Sequence, residues 1–94
     1  MAYEIVWTDT SRENYRDIID SLLEKWSFEI AEEFTIKIID RLTLLEMNPY
    51  LGTSHPEITS LRKLLIPPHN YLYYTVVNQQ IILLNIVDSR RKIS

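Results

Sequence analysis

The apolar run Ile81-Ile82-Leu83-Leu84-Asn85-Ile86-Val87 is followed at once by Asp88-Ser89-Arg90-Arg91-Lys92, and a second basic pair, Arg62-Lys63, falls within the run Leu61 to Ile66. Guanidinium and ammonium groups bind phosphates and carboxylates, so these five cations are the candidates for meeting an anionic target or partner. A strand apolar on both faces belongs near the middle of a sheet, where its rigid end delivers Arg90, Arg91 and Lys92 to one fixed place. The competing reading of that trio is a solvated chain end that aids solubility. Arg62 and Lys63 alternate across a strand, so at most one of them faces any given site.

Tyr71, Tyr73 and Tyr74 form the second group able to do chemistry. They can stack on bases or line a pocket for a partner helix, because aromatic residues dominate interface energetics. Ordinary sheet packing is the alternative. Tyr71 and Tyr73 share one strand face and Tyr74 takes the other, so at least one must pack against the rest of the fold. His55 and His69 sit in separate proline-containing loops without a second ligand at useful spacing, so no metal is expected. Glu29, Glu32 and Glu33 are first-turn helix acids, a stabilising arrangement against the helix dipole rather than a metal site. A single glycine excludes a phosphate-cradling loop, and no cofactor is expected.

Composition limits the frame that can position these groups. Ninety-four residues with 46% hydrophobic content suit one domain, residues 1–94, with a single small core. The absence of cysteine excludes a disulfide framework and a cysteine-ligated metal. No apolar stretch approaches the roughly 18 residues of a membrane span, and Met1-Ala2-Tyr3-Glu4 lacks the basic and apolar regions of a signal peptide. A cytoplasmic protein with no membrane partner is therefore expected. The net charge of −3 is unevenly spread: residues 1–60 carry five Lys and Arg against twelve Asp and Glu, residues 61–94 five against one. That overall acidity argues against a dedicated nucleic-acid binder.

Tyr3 to Trp7 alternates as a short strand does. Thr10-Ser11-Arg12-Glu13 fits a capping box, opening a helix whose apolar residues Tyr15, Ile18, Ile19, Leu22, Leu23 and Trp26 recur at threes and fours. Ser27 caps a second helix with a core line of Ile30, Phe34, Ile38, Leu42 and Leu45, widened by Ala31, Ile39 and Met47, and ended by Asn48-Pro49. So short a junction predicts an antiparallel helical hairpin. Pro49 to Ser60 reads as a loop. Leu61 to Ile66, Tyr71 to Val77 and Ile81 to Val87 read as strands, the last two joined at Asn78-Gln79. The expectation is an α+β fold, β-α-α-β-β-β, in which an N-terminal strand and an antiparallel helical hairpin pack on a C-terminal three-stranded antiparallel sheet.

Several pieces together resemble the RelE/ParE toxins of bacterial type II toxin-antitoxin systems over essentially the whole chain. These are Ile5-Val6-Trp7 leading into a capped helix, the Trp26-Ser27 junction, Leu45-Glu46-Met47-Asn48-Pro49 followed by Gly52, Leu61-Arg62-Lys63, Tyr71-Leu72-Tyr73-Tyr74-Thr75-Val76, and Ile81 to Val87 closing on Asp88-Ser89-Arg90-Arg91-Lys92. The resemblance implies a toxin of plasmid-stabilisation type, held inactive by a cognate antitoxin whose C-terminal segment wraps it. RelE-like members cut mRNA in the ribosomal A site, whereas ParE-like members poison DNA gyrase without a catalytic centre.

Cleavage of mRNA needs a group to activate the ribose 2′-hydroxyl, a group to protonate the leaving oxygen, and cations to stabilise the phosphorane. Carried over from RelE-like relatives, the catalytic candidates here are Arg62 and Arg91. Leu72 and Thr75 stand where arginine is often found, Asp88 where histidine is often found, and the sequence to Ser94 holds no longer C-terminal helix with its Tyr. An acidic protein also approaches an anionic ribosome poorly. The resemblance is therefore closer to the ParE branch, with the ribosome-dependent endoribonuclease and an inert antitoxin-binding module as alternatives. Residues expected to contact the antitoxin or target are Arg62, Lys63, Tyr71, Tyr73, Arg90, Arg91 and Lys92. Leu51, Ile58, Leu64 and Ile66 are candidates to line an antitoxin groove.

Overall fold

The computed structural model describes residues 2–90, and Arg91 and Lys92 lie outside the described residues. The elements run β1 (Glu4–Trp7), α1 (Asp9–Lys25), α2 (Phe28–Met47), β2 (Thr53–Ser54), β3 (Arg62–Ile66), β4 (Asn70–Val77) and β5 (Gln80–Asp88). The α+β order matches the expectation. The α1 cap does not fall at Thr10: Thr8 is the N-cap, its Oγ1 accepting from Ser11 N at 3.1 Å and donating to Leu83 O at 2.7 Å. Thr8 and Thr10 both carry a hydroxyl able to cap, and only Thr10-x-x-Glu13 has the full box. The bond to β5 decides between them, because only Thr8 also satisfies a strand carbonyl. Ser27 caps α2 as expected, its Oγ accepting from Ile30 N, and Asn48 ends the helix.

The sheet has five strands in the order β1-β5-β4-β3-β2. This enlarges the expected three-stranded antiparallel sheet: β1 pairs parallel with β5, Ile5 opposite Ile81 and Trp7 opposite Leu83, while the remaining pairings are antiparallel. The sheet is thus mixed. The loop after α2 contributes β2, pairing Thr53 with Lys63 and Ser54 with Arg62. β5 lies between β1 and β4, the interior place its two apolar faces require. Its register slips between Tyr73 and Tyr74, which face Asn85 and Leu83, so Leu84 is an extra residue. A bulge of this kind shifts the alternation. Ile81 and Leu83 point inward before it, and Ile86 rather than Asn85 points inward after it. β1 ends at Trp7 while β5 runs on to Asp88, and Asn14 Oδ1 of α1 accepts from Ile86 N at 2.9 Å beyond that end.

Both helices cover one face of the sheet. Phe34, Ile38 and Leu45 of α2 close over Ile66, Leu72, Tyr74, Ile81, Leu83 and Ile86, with Tyr15, Ile18, Ile19 and Leu22 of α1 packed alongside. Arg41 Nε donates to Leu65 O, tying α2 to β3. Five residues expected in the helical core line or its margin are exposed instead: Leu23, Trp26, Ile30, Ile39 and Met47. Helical spacing alone cannot separate a wide core face from a second apolar face, and α2 has both.

Candidate partner-binding surface

The face of the sheet opposite the helices carries Val6, Lys63, Leu65, Tyr71, Tyr73, Thr75, Ile82, Asn85 and Val87. The cross-strand pairs Tyr71 with Val87, Tyr73 with Asn85 and with Lys63, and Thr75 with Ile82 place them on one side. Lys63 Nζ sits 4.7 Å from the centre of the Tyr71 ring. A cation over an exposed ring is worth about 0.5–1 kcal/mol, enough to orient the ammonium without withdrawing it from a partner. Leu65 and Val87 are exposed, and Tyr71 and Tyr73 are half-buried by their strand neighbours. The surface therefore offers aromatic and aliphatic area with one positive charge, the composition of a protein interface.

Arg62, adjacent in sequence, is turned to the other face. Its Nη1 donates to Gly52 O at 2.7 Å and Tyr50 O at 3.3 Å, and the guanidinium lies 5.0 Å from the Tyr50 ring centre. Below it, the fully buried Tyr74 donates its hydroxyl to Pro49 O at 2.9 Å and accepts from Gly52 N at 2.8 Å. Burial pushes this phenol up, opposed by the Gly52 N–H and by the charge of Arg62. Gly52 leaves no space here: a Cβ would lie 2.7 Å from both Lys63 O and the Tyr74 hydroxyl. Arg62 thus fastens the loop after α2 to β3.

Arg90 lies at the far end of β5. Its Nε and Nη2 donate to the two carboxylate oxygens of Asp88 at 3.2 and 3.0 Å, and its N–H donates to Asp88 Oδ1 at 2.8 Å. Those bonds, the side-chain one foremost, hold the Asp88 carboxyl at about 2. Arg62 stands level with Tyr74 and Asp88 level with Asn70. Four residues of β4 separate these levels, about 13 Å at roughly 3.3 Å per residue. The three described cations of the expected contact set therefore occupy separate places: Lys63 on the open face, Arg62 on the covered face, Arg90 at the strand end.

The expected contact set is brought together only in part, as Lys63, Tyr71 and Tyr73. Of the groove candidates, Ile66 is fully buried and Leu64 packs against the core, so both belong to the interior, while Leu51 and Ile58 are exposed. Leu72 is likewise interior. His55 Nδ1 accepts from Glu57 N and Ile58 N, a turn-forming role. Thr75, Ile82 and Val87 also stand on the open face and are not among the expected contacts; for Ile82 and Val87 the signal is the second apolar face of β5.

No curated protein sequence is a significant match. Among solved structures, the fold is similar to a chain of the chromosomal ParDE TA system from P. aeruginosa, with TM-score 0.77 and 19% identity, covering 93% of this chain and 96% of that one. It is also similar to a YoeB/ParE toxin from Agrobacterium tumefaciens, with TM-score 0.65 and 15% identity over 90% of this chain and 96% of that one. A third similar chain belongs to a YoeB dimer from Staphylococcus aureus, with TM-score 0.64 and 16% identity over 90% and 94%. The family profile described as ParE toxin of type II toxin-antitoxin system, parDE, matches residues 5–93. A match over nearly the full length, on a fold shared with those toxins, means that this chain belongs to the ParE toxin family of type II toxin-antitoxin systems.

Proposed function

We propose that this chain is a cytoplasmic toxin that contacts DNA gyrase through the open sheet face and is neutralised by a cognate antitoxin that docks over the same face. The observation that carries this reading is the division of labour between two neighbouring cations. Lys63 stands among Tyr71, Tyr73 and Val87 on an uncovered surface, as a contact residue should. Arg62, a cation that mRNA cleavage would use, turns its Nη1 to Gly52 O and Tyr50 O on the covered face. The P. aeruginosa ParDE relative supports an antitoxin partner by analogy.

The test is a supercoiling assay with purified gyrase. Inhibition by the toxin, relieved by the antitoxin encoded beside its gene, is expected. Gyrase that remains indifferent to excess toxin, with codon-linked mRNA cuts on ribosomes that vanish in Arg62→Ala, would move the chain to the RelE-like activity.

A further inference from the structure

α2 has two apolar faces. One holds Ala31, Phe34, Ile38 and Leu45 in the core. On the other stand Ile36, 60% exposed, Ile39, 57%, and Met47, 78%, with Phe28, 65%, in the first turn. Ile36, Ile39, Thr43 and Met47 follow one another at three and four residues, which draws a single stripe along a helix. Thr43 already gives its hydroxyl to Ile39 O, so it adds no free donor to the stripe. Isoleucine is a poorer helix former than Ala, Glu or Lys, so helix formation does not account for these residues in solvent. Phe28 to Met47 spans about 28 Å at roughly 1.5 Å per residue, the length of a partner helix of about 20 residues.

The flanks of the stripe specify charge. Glu29 and Glu32 continue the line of the stripe toward the N-terminus, and Glu33 and Asp40 border it, all of them exposed. The two cations of α2 are engaged within the chain: Lys37 lies 3.0 Å from Glu33, and Arg41 lies 2.9 Å from Asp40 while also bonding Leu65 O. Glu29 and Glu32 have no cationic partner among the described residues. A second copy packed with its α2 parallel to this one would set the same acids against one another, and like charges across an interface are costly.

We propose that the solvent face of α2 docks an amphipathic helix of another protein whose apolar stripe is flanked by Lys or Arg. This is the helix-on-groove mode, with Ile36, Ile39 and Met47 as anchors and the acids as the rim. The inference goes beyond the gyrase reading: α2 lies on the helix-covered side of the sheet, so this surface and the Lys63 face point in opposite directions. One toxin can hold two partners at once.

The test uses two labelled synthetic helical peptides of about 20 residues with identical leucine stripes, one flanked by Lys and one by Glu. Each is titrated with the full chain at low ionic strength and followed by fluorescence anisotropy. The Lys-flanked peptide is expected to bind at least about tenfold more tightly than the Glu-flanked one, with the gap narrowing as salt rises. The double variant Ile36→Ser/Ile39→Ser, changed only at exposed positions and checked for an unaltered denaturation midpoint, is expected to lose at least about tenfold for the Lys-flanked peptide. Equal affinity for the two peptides, no binding by either, or full binding by the double variant overturns the proposal. So does a dimer in sedimentation equilibrium that the double variant abolishes, which would give the stripe to a second copy.

Discussion

Tyr73 and Tyr74 are neighbours on β4, yet Tyr74 is fully buried with its hydroxyl held between Pro49 O and Gly52 N, while Tyr73 stands half-buried across from Lys63 on the open face. Arg62 and Lys63 divide in the same way on β3. In both pairs a one-residue step along a strand moves a side chain from a structural role to one available for contact. The covered face uses its polar groups to close the loop after α2. The open face leaves the same kinds of group for a partner.

The sharpest way to break this comparison is to truncate the two tyrosines separately. Tyr74→Ala is expected to cost about 3–5 kcal/mol in chemical denaturation, since it opens a cavity and strips two partners, whereas Tyr73→Ala costs about 1 kcal/mol or less. Similar losses for both would erase the distinction between the faces. Gly52→Ala comes next, at about 1–3 kcal/mol, because the added methyl meets Lys63 O and the Tyr74 hydroxyl with no room to retreat. A thermal midpoint unchanged by that substitution would show the loop to be looser than described.

Between the cations, Arg62→Ala is expected to destabilise by about 1–2 kcal/mol through the freed loop carbonyls, and Lys63→Ala by less than about 1 kcal/mol. The smallest effect belongs to the strand end. Asp88 is held at about 2 against an ordinary 3.8, so its contribution is complete above about pH 4 and is lost as pH falls toward 2. Solvent screens a pair whose side chains are 39% and 66% exposed, so Asp88→Asn should flatten the acid limb of the stability curve only slightly. A nuclear magnetic resonance titration of Asp88 with a midpoint near 4 would deny the Arg90 bond.

Much of the element order was legible locally because caps, helical spacing and the prolines act over a few residues. Ser27, Asn48-Pro49 and the Asn78-Gln79 turn sit where the sequence placed them, the turn with Asn78 at a φ of 56°, which asparagine tolerates. What escaped was set at long range. The pairing of β1 with β5 joins Ile5 to Ile81, and the choice of Thr8 over Thr10 as cap depends on Leu83 O, so neither leaves a local signal. The bulge at Leu84 exchanges Asn85 for Ile86 in the core, which a strict alternation cannot express. For the site, strand alternation separated Lys63, Tyr71 and Tyr73 from Arg62 and Tyr74. It could not say which face the helices would cover, nor that apolar residues on α2 would serve two sides.

The most direct test of the open face as a contact surface is to titrate purified gyrase with the Tyr71→Ala/Tyr73→Ala double variant alongside the unaltered toxin, after confirming that both unfold at comparable denaturant concentrations. The account predicts that the unaltered toxin inhibits supercoiling and that the variant needs at least about tenfold more protein for the same inhibition, the loss typical of two interface aromatics. Equal inhibition by the two proteins would contradict it.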